Sequence, residues 1–313
     1  MARYRDALPQ LGEATFLTDG GLETTLIFHQ GVELPHFASF VLLETEEGRQ
    51  RLRRYYEPYL TLARERGLGF VLDSPTWRAN PDWGARLGYD AEGLRRINMA
   101  GIALLHALRD EWETPQTPCV VSGVVGPRGD GYRPGRIAIG EAERYHAPQI
   151  AAFAEAGADM VGAFTLTELH EATGIARAAA AQGLPCALSF TVETNGRLVS
   201  GPSLREAVEA VDAETGGSPA YYMVNCAHPT HFEQALAAGE GWVGRLRGIR
   251  ANASAKSHAE LDESTTLDDG DPRDLGRRYR ALRQRFPGLR LLGGCCGTDE
   301  RHVRAICEAC VAA

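Results

Sequence analysis

The chain has 313 residues, 44% of them hydrophobic and 24% charged, a composition that fits a folded globular protein and excludes a disordered one. No apolar run approaches the roughly 20 residues that span a bilayer, and Met1-Ala2-Arg3-Tyr4-Arg5 opens no apolar secretory segment, so a cytoplasmic protein off the membrane is expected. A net charge of −8 with no basic stripe speaks against a nucleic-acid partner, and seven cysteines, an odd number, point to buried, metal-binding or reactive thiols rather than a disulfide framework.

Short β-branched or apolar runs recur along the chain at spacings too long for hairpins. They are Thr15–Thr18, Gly69–Leu72, Cys119–Ser122, Asp159–Gly162, Cys186–Phe190, Tyr221–Val224, Leu246–Ile249 and Leu289–Leu292. Stretches rich in Ala, Arg and Glu with helical spacing separate them, at 45–66, 91–112, 140–156, 168–182, 203–214, 230–238, 272–286 and 299–312. Eight strands alternating with eight helices predict a parallel sheet with right-handed crossovers, and the count predicts a single (β/α)8 barrel over residues 1–313, with a doubly wound open sheet as the competing architecture. The Asp-rich stretch from Asp262 to Asp271 reads as a long loop after strand 7. In such a barrel, chemistry belongs where strands end and βα loops begin.

The strand ends carry unusual residues. The first runs into Asp19-Gly20-Gly21, the sixth into Asn225-Cys226 and the eighth into Gly293-Gly294-Cys295-Cys296-Gly297-Thr298. Only strand 7 separates strands 6 and 8, so Cys226, Cys295 and Cys296 can converge at one face. Three thiolates suit Zn2+ and leave a fourth position open for water or substrate. Adjacent cysteines on a regular strand point to opposite faces, so both reach one metal only if the strand ends there; the flanking glycines allow the turn. A strained vicinal disulfide between Cys295 and Cys296, or inert burial, is the alternative. In the metal-free chain, Cys295 and Cys296 are the thiols expected to oxidise first.

These motifs give the chain a resemblance over nearly its whole length to the homocysteine S-methyltransferase family. The stretches that carry it are Leu17-Thr18-Asp19-Gly20-Gly21, Pro75-Thr76-Trp77-Arg78-Ala79-Asn80, Gly123-Val124-Val125-Gly126-Pro127, Val224-Asn225-Cys226 and the double-cysteine run at 293–298. The resemblance implies a zinc-dependent barrel that moves a methyl group from a small sulfonium or quaternary ammonium donor to a thiol such as homocysteine, giving methionine. It implies zinc on Cys226, Cys295 and Cys296, and the acceptor's amino-acid part on Asp19 and the amides of Gly20 and Gly21, with Thr76 and Glu168 as further substrate-binding candidates. One position departs from the family. Relatives carry a Glu at the end of strand 4 for the acceptor's amino group, whereas this chain has Phe164. Either Glu168 reaches back or Asp19 serves alone, and homocysteine is expected to bind more weakly than in relatives.

Other residues hold competing readings. Lys256, the only lysine, falls after strand 7 and could serve as a Schiff-base lysine. His228 and His231 could complete a mixed Cys/His site, although a helix-start pair suits them better. Cys307 and Cys310 fit packing of the last helix. A thiol-rich barrel that stores zinc or senses oxidants is the non-catalytic alternative, and a homo-oligomer is left open. No G-x-G-x-x-G follows any strand, which argues against a Rossmann-type nucleotide site.

Overall fold

The computed structural model describes residues 1–311 apart from 134, 237–239 and 265. Eight parallel strands close into a barrel in sequence order. They are β1 (Phe16–Leu17), β2 (Gly69–Asp73), β3 (Cys119–Val125), β4 (Met160–Leu166), β5 (Cys186–Phe190), β6 (Tyr221–Asn225), β7 (Leu246–Ala251) and β8 (Leu291–Gly294). Closure comes from β1, where Phe16 lies opposite both Gly69 of β2 and Leu291 of β8. The (β/α)8 expectation therefore holds.

The described helices are α1 (Glu46–Glu65), α2 (Pro81–Arg86), α3 (Ala91–Trp112), α4 (Ile139–Glu155), α5 (Leu169–Ala181), α6 (Leu204–Thr215), α7 (Pro229–Phe232), α8 (His258–Asp262), α9 (Pro272–Arg285) and α10 (Glu300–Cys310). Their starts follow the capping chemistry of the sequence. Thr45 Oγ1 accepts from the Gly48 amide at the start of α1, Asp90 caps α3, and Ser203 with Glu206 forms a capping box on α6. One expectation is corrected: the helix expected over 230–238 is the short α7, with 237 and 238 outside the described residues. The stretch expected as loop after β7 starts where α8 ends, at Asp262, and beyond that residue carries no helix or strand among its described residues up to Asp271. Position 312 of the last expected helix also lies outside the described residues. No described helix is long and apolar enough to cross a membrane.

The period of two along each strand sorts the core. Phe16, Val71, Val120, Met160, Tyr221 and Leu291 fill the lower barrel interior, while neighbours such as Leu17, Phe70, Leu72, Val121 and Leu292 belong to the layer packed under the helices. Both faces of the strands are buried, as a barrel covered by helices requires. The N-terminal segment closes the lower end. Leu8 joins the interior cluster, and the Gln10 amide donates to Met160 Sδ at 3.2 Å. There Asp159 is fully enclosed: Arg109 Nη1 donates to it at 2.9 Å, and the amides of Arg3, Tyr4 and Val121 donate at 2.6, 2.9 and 2.8 Å.

Candidate active site

The same inward parity that places Val71, Val120, Met160 and Tyr221 in the apolar lower barrel continues upward to Asp73, Ser122, Phe164 and Asn225. The barrel interior thus changes from apolar to polar along its own strands and opens at the top into a cavity of about 400 Å³. Its lining includes Asp19, Gly20, Gly21, Glu23, Arg78, Phe164, Arg250 and all three cysteines of the strand ends.

The thiols converge because the backbone turns where the strands stop. Cys226, one residue past β6, would face outward by strand alternation, but its φ of 51° swings the chain into the left-handed region. Gly297 does the same after Cys296 with φ of 78°. The three sulfurs lie within 4.8 Å of one another, with Cys226 Sγ and Cys296 Sγ 3.8 Å apart. Two thiolates on one tetrahedral zinc, at about 2.3 Å each, also stand roughly 3.8 Å apart, so the donor set fits that ion. Cys226 and Cys295 are joined by a disulfide with Cα atoms 5.4 Å apart. The bond therefore crosses from strand 6 to strand 8 and is not the vicinal Cys295–Cys296 bond weighed as an alternative, and it leaves Cys296 as the solvent-facing thiol.

Polar groups hold this geometry. Asn225 Nδ2 donates to Thr165 Oγ1 at 3.0 Å and approaches Cys295 Sγ at 3.8 Å, while its Oδ1 accepts from the Thr165 amide and Ser189 Oγ at 2.9 and 2.7 Å. Thr165 is itself a non-glycine residue at positive φ, 63°, in the irregular end of β4. The Cys226 carbonyl accepts from Asn252 Nδ2 and Thr191 Oγ1 and faces His258 Nε2 at 2.6 Å. The His258 ring lies 4.4 Å from that of Tyr132, whose hydroxyl reaches Cys296 Sγ at 3.7 Å.

Beside the thiols sits a buried charge cluster absent from the sequence reading. Arg250 at the end of β7 donates to Asp19 Oδ1 at 2.6 Å, to Asp73 Oδ2 at 2.5 Å and to the Gly20 and Gly294 carbonyls at 3.2 and 3.1 Å. Helix α1 contributes two phenols: Tyr55 donates to Asp19 Oδ2 at 2.9 Å and Tyr56 to the Asp73 carbonyl at 2.6 Å. Burial raises both acids above the ordinary carboxylate range despite Arg250, Asp73 to about 6. Burial alone would lower Arg250, but Asp19 and Asp73 hold it above its usual value. Asp73 Oδ1 is buried with no hydrogen-bond partner among the described residues. The Phe164 ring lies 5.1 Å from the Arg250 guanidinium, so it caps this cluster from the pocket side.

With this geometry in hand, comparison with known proteins is decisive. The sequence profile described as Homocysteine S-methyltransferase matches residues 16–310. The chain belongs to the homocysteine S-methyltransferase family. Among solved structures it is similar to the homocysteine methyltransferase MmuM from Escherichia coli. The oxidized form gives a TM-score of 0.73 at 23% identity, covering 96% of this chain and 97% of that one. The metallated form gives 0.70 at 22% identity, covering 96% and 98%. At such identities the neighbours attest the fold, and the family match supports an S-methyltransferase.

Several residues expected at the substrate lie elsewhere in this methyltransferase. Thr76 is fully buried, its hydroxyl donating to the Val124 carbonyl at 2.8 Å and meeting Ser74 Oγ at 2.6 Å, and it does not line the pocket. Glu168 caps α5, accepting from the amides of His170 and Glu171 at 2.8 and 3.1 Å, and does not reach back. Asp19 does line the pocket, with Gly20 and Gly21, but both its oxygens are engaged. Lys256 pairs with Asp268 at 3.1 Å and its side chain is 48% exposed, which denies it the desolvation a Schiff-base lysine needs. His228 caps α7 and His231 faces the Ala255 carbonyl; neither joins the thiol cluster. Cys307 is buried in α10 and pairs with no other cysteine. The sequence reading missed Arg250, Glu23, Tyr132 and the role of Arg78. The one available signal was that Arg250 is a charged residue at the C-terminal end of an apolar strand, while Arg78 lies in the loop that follows β2.

Proposed function

We propose that the chain methylates a small thiol of the homocysteine type on zinc held by reduced Cys226, Cys295 and Cys296, using a sulfonium or quaternary ammonium donor. The observation that carries this reading is the convergence of three sulfurs within 4.8 Å at the top of the cavity. Cys226, Cys295 and Cys296 would hold the ion, which when bound would deprotonate the acceptor thiol and keep it nucleophilic. The chain's own residues then position the reactants. Asn225 and Thr165 fix the cysteines, and the cavity brings acceptor sulfur and donor methyl into line. The sulfur–carbon bond forms as the methyl–donor bond breaks, the electron pair stays on the donor heteroatom, and the acceptor's proton leaves to solvent.

A cationic donor suits the walls. Asp19, Glu23, Asp73, Asp130 and Asp268 outnumber Arg78 and Arg250 among the lining charges. Phe28 and Phe37, each 52% exposed, stand at the mouth with Trp77 and Tyr132, and aromatic faces attract onium groups by about 0.5–2 kcal/mol. Reduced, zinc-loaded protein incubated with homocysteine and S-methylmethionine or glycine betaine should give methionine by mass spectrometry. Absence of methylated product with every thiol and onium donor tried would sink the reading.

A further inference from the structure

We propose that Glu23 and Arg78 clamp the amino-acid end of the thiol acceptor, Glu23 taking its ammonium and Arg78 its carboxylate. The assignment rests on the reading above that a thiol is the acceptor, and it relocates the recognition that Asp19 or Glu168 was expected to give.

The expected groups are occupied. Asp19 Oδ1 receives Arg250 at 2.6 Å and Oδ2 receives Tyr55 at 2.9 Å. Glu168 serves as a helix cap, and Phe164 lies against Arg250. Two other charged side chains line the same cavity as the thiols without an ion-pair contact among the described residues, Glu23 and Arg78. Glu23 is partly buried, and its Oε1 accepts from Ser39 Oγ at 2.9 Å. It lies near enough to Cys296 to act on that thiol electrostatically. Burial drives its carboxyl up by more than the Ser39 hydrogen bond and the charge of Arg78 lower it.

Arg78 is held flat for the opposite role. Its guanidinium lies 3.8 Å from the Trp83 ring centroid and 4.9 Å from that of Trp77. Its Nε is buried without a hydrogen-bond partner among the described residues. A stacked planar fork with an unanswered N–H is the geometry that a carboxylate completes. Asp130, another acid in range, faces Arg133 at 4.0 Å. The two halves of the clamp come from adjoining walls, since Ser39 Oγ also approaches the Pro75 carbonyl at 3.4 Å, three residues before Arg78. Glu23 and Arg78 lie near enough to influence each other electrostatically and form no ion pair among the described residues. Homocysteine carries its ammonium and carboxylate on one carbon, at the far end of a short chain from the sulfur, and so offers each wall its missing partner.

Calorimetry on the reduced, zinc-loaded chain tests this with homocysteine, 4-mercaptobutyrate, which lacks the ammonium, and 3-mercaptopropylamine, which lacks the carboxylate. Glu23→Gln should weaken homocysteine about tenfold or more and leave 4-mercaptobutyrate within about twofold. Arg78→Gln should weaken homocysteine and 4-mercaptobutyrate alike by about tenfold and spare 3-mercaptopropylamine. Circular dichroism melts of both variants verify folding. Equal losses for all three thiols in either variant would mean a wall role and overturn the clamp. Tight wild-type binding that ignores both substitutions would overturn the clamp alone, whereas a wild type that binds none of the thiols would overturn the thiol-acceptor reading and the clamp with it.

Discussion

The barrel buries an arginine against aspartate at both of its ends, and the two clusters are built differently. At the lower end Asp159 receives Arg109 and three backbone amides, so every strong direction around the carboxylate is answered. At the upper end Arg250 is shared between Asp19 and Asp73, and Asp73 Oδ1 has no partner among the described residues. A buried ion pair is stable only when its remaining hydrogen-bonding capacity is met. The lower carboxylate meets that condition within the chain, with Arg109 Nε left as the one unanswered group of the pair among the described residues, and it locks the N-terminal segment. The upper one sits beside a cavity and a thiol cluster, where incomplete satisfaction leaves room for a ligand.

The largest effect separates the upper site from the rest of the chain. Serine at Cys226, Cys295 or Cys296 should each remove most of about one bound zinc per chain and lower methyl transfer by about a hundredfold or more, whereas Cys307→Ser in α10 keeps both. Metal analysis and product assay check it, and full zinc content in Cys226→Ser would dissolve the distinction.

Arg109→Met should then destabilise the fold by about 3–5 kcal/mol, since it strands Asp159 without its cation, yet leave thiol affinity unchanged. Urea melts and calorimetry on the same preparation measure the two quantities. A change in thiol affinity would show that the lower pair is coupled to the pocket.

The next prediction concerns pH. Asp73 is raised from 3.8 to about 6 in the fold, so the folded chain binds its proton more tightly than the unfolded one. Its contribution is present in full below the unfolded value and is lost as pH rises through about 6. Relative to Asp73→Asn, the wild type should lose about 2–3 kcal/mol of stability between pH 4 and pH 7. Parallel pH profiles for the two proteins would remove Asp73 as the titrating group.

The smallest effect tests the strand-4 region. Glu168→Ala removes the cap of α5 and should lower stability by about 1 kcal/mol while homocysteine affinity holds. Weaker homocysteine binding at unchanged stability would return Glu168 to the acceptor site.

The barrel and the thiol triad could be read from the chain because both follow from local features. Strand runs declare themselves by apolar continuity, and Cys226, Cys295 and Cys296 stand where those runs end beside glycines. Alternation also foretold that the strand must end for two adjacent cysteines to share a face, and β8 does end at Gly294, with a left-handed turn at Gly297 beyond them. The partners of Asp19 had no such signal. Arg250 lies 231 residues away, and only closure of β1 against β8 brings β7 close enough for the pair to form. The same holds for Glu23 and Arg78, which sit on different walls and share a cavity because the barrel closes. Sequence period fixes which face a side chain occupies, but which charges meet across a barrel is decided by closure and register, and burial then makes an unmet charge consequential.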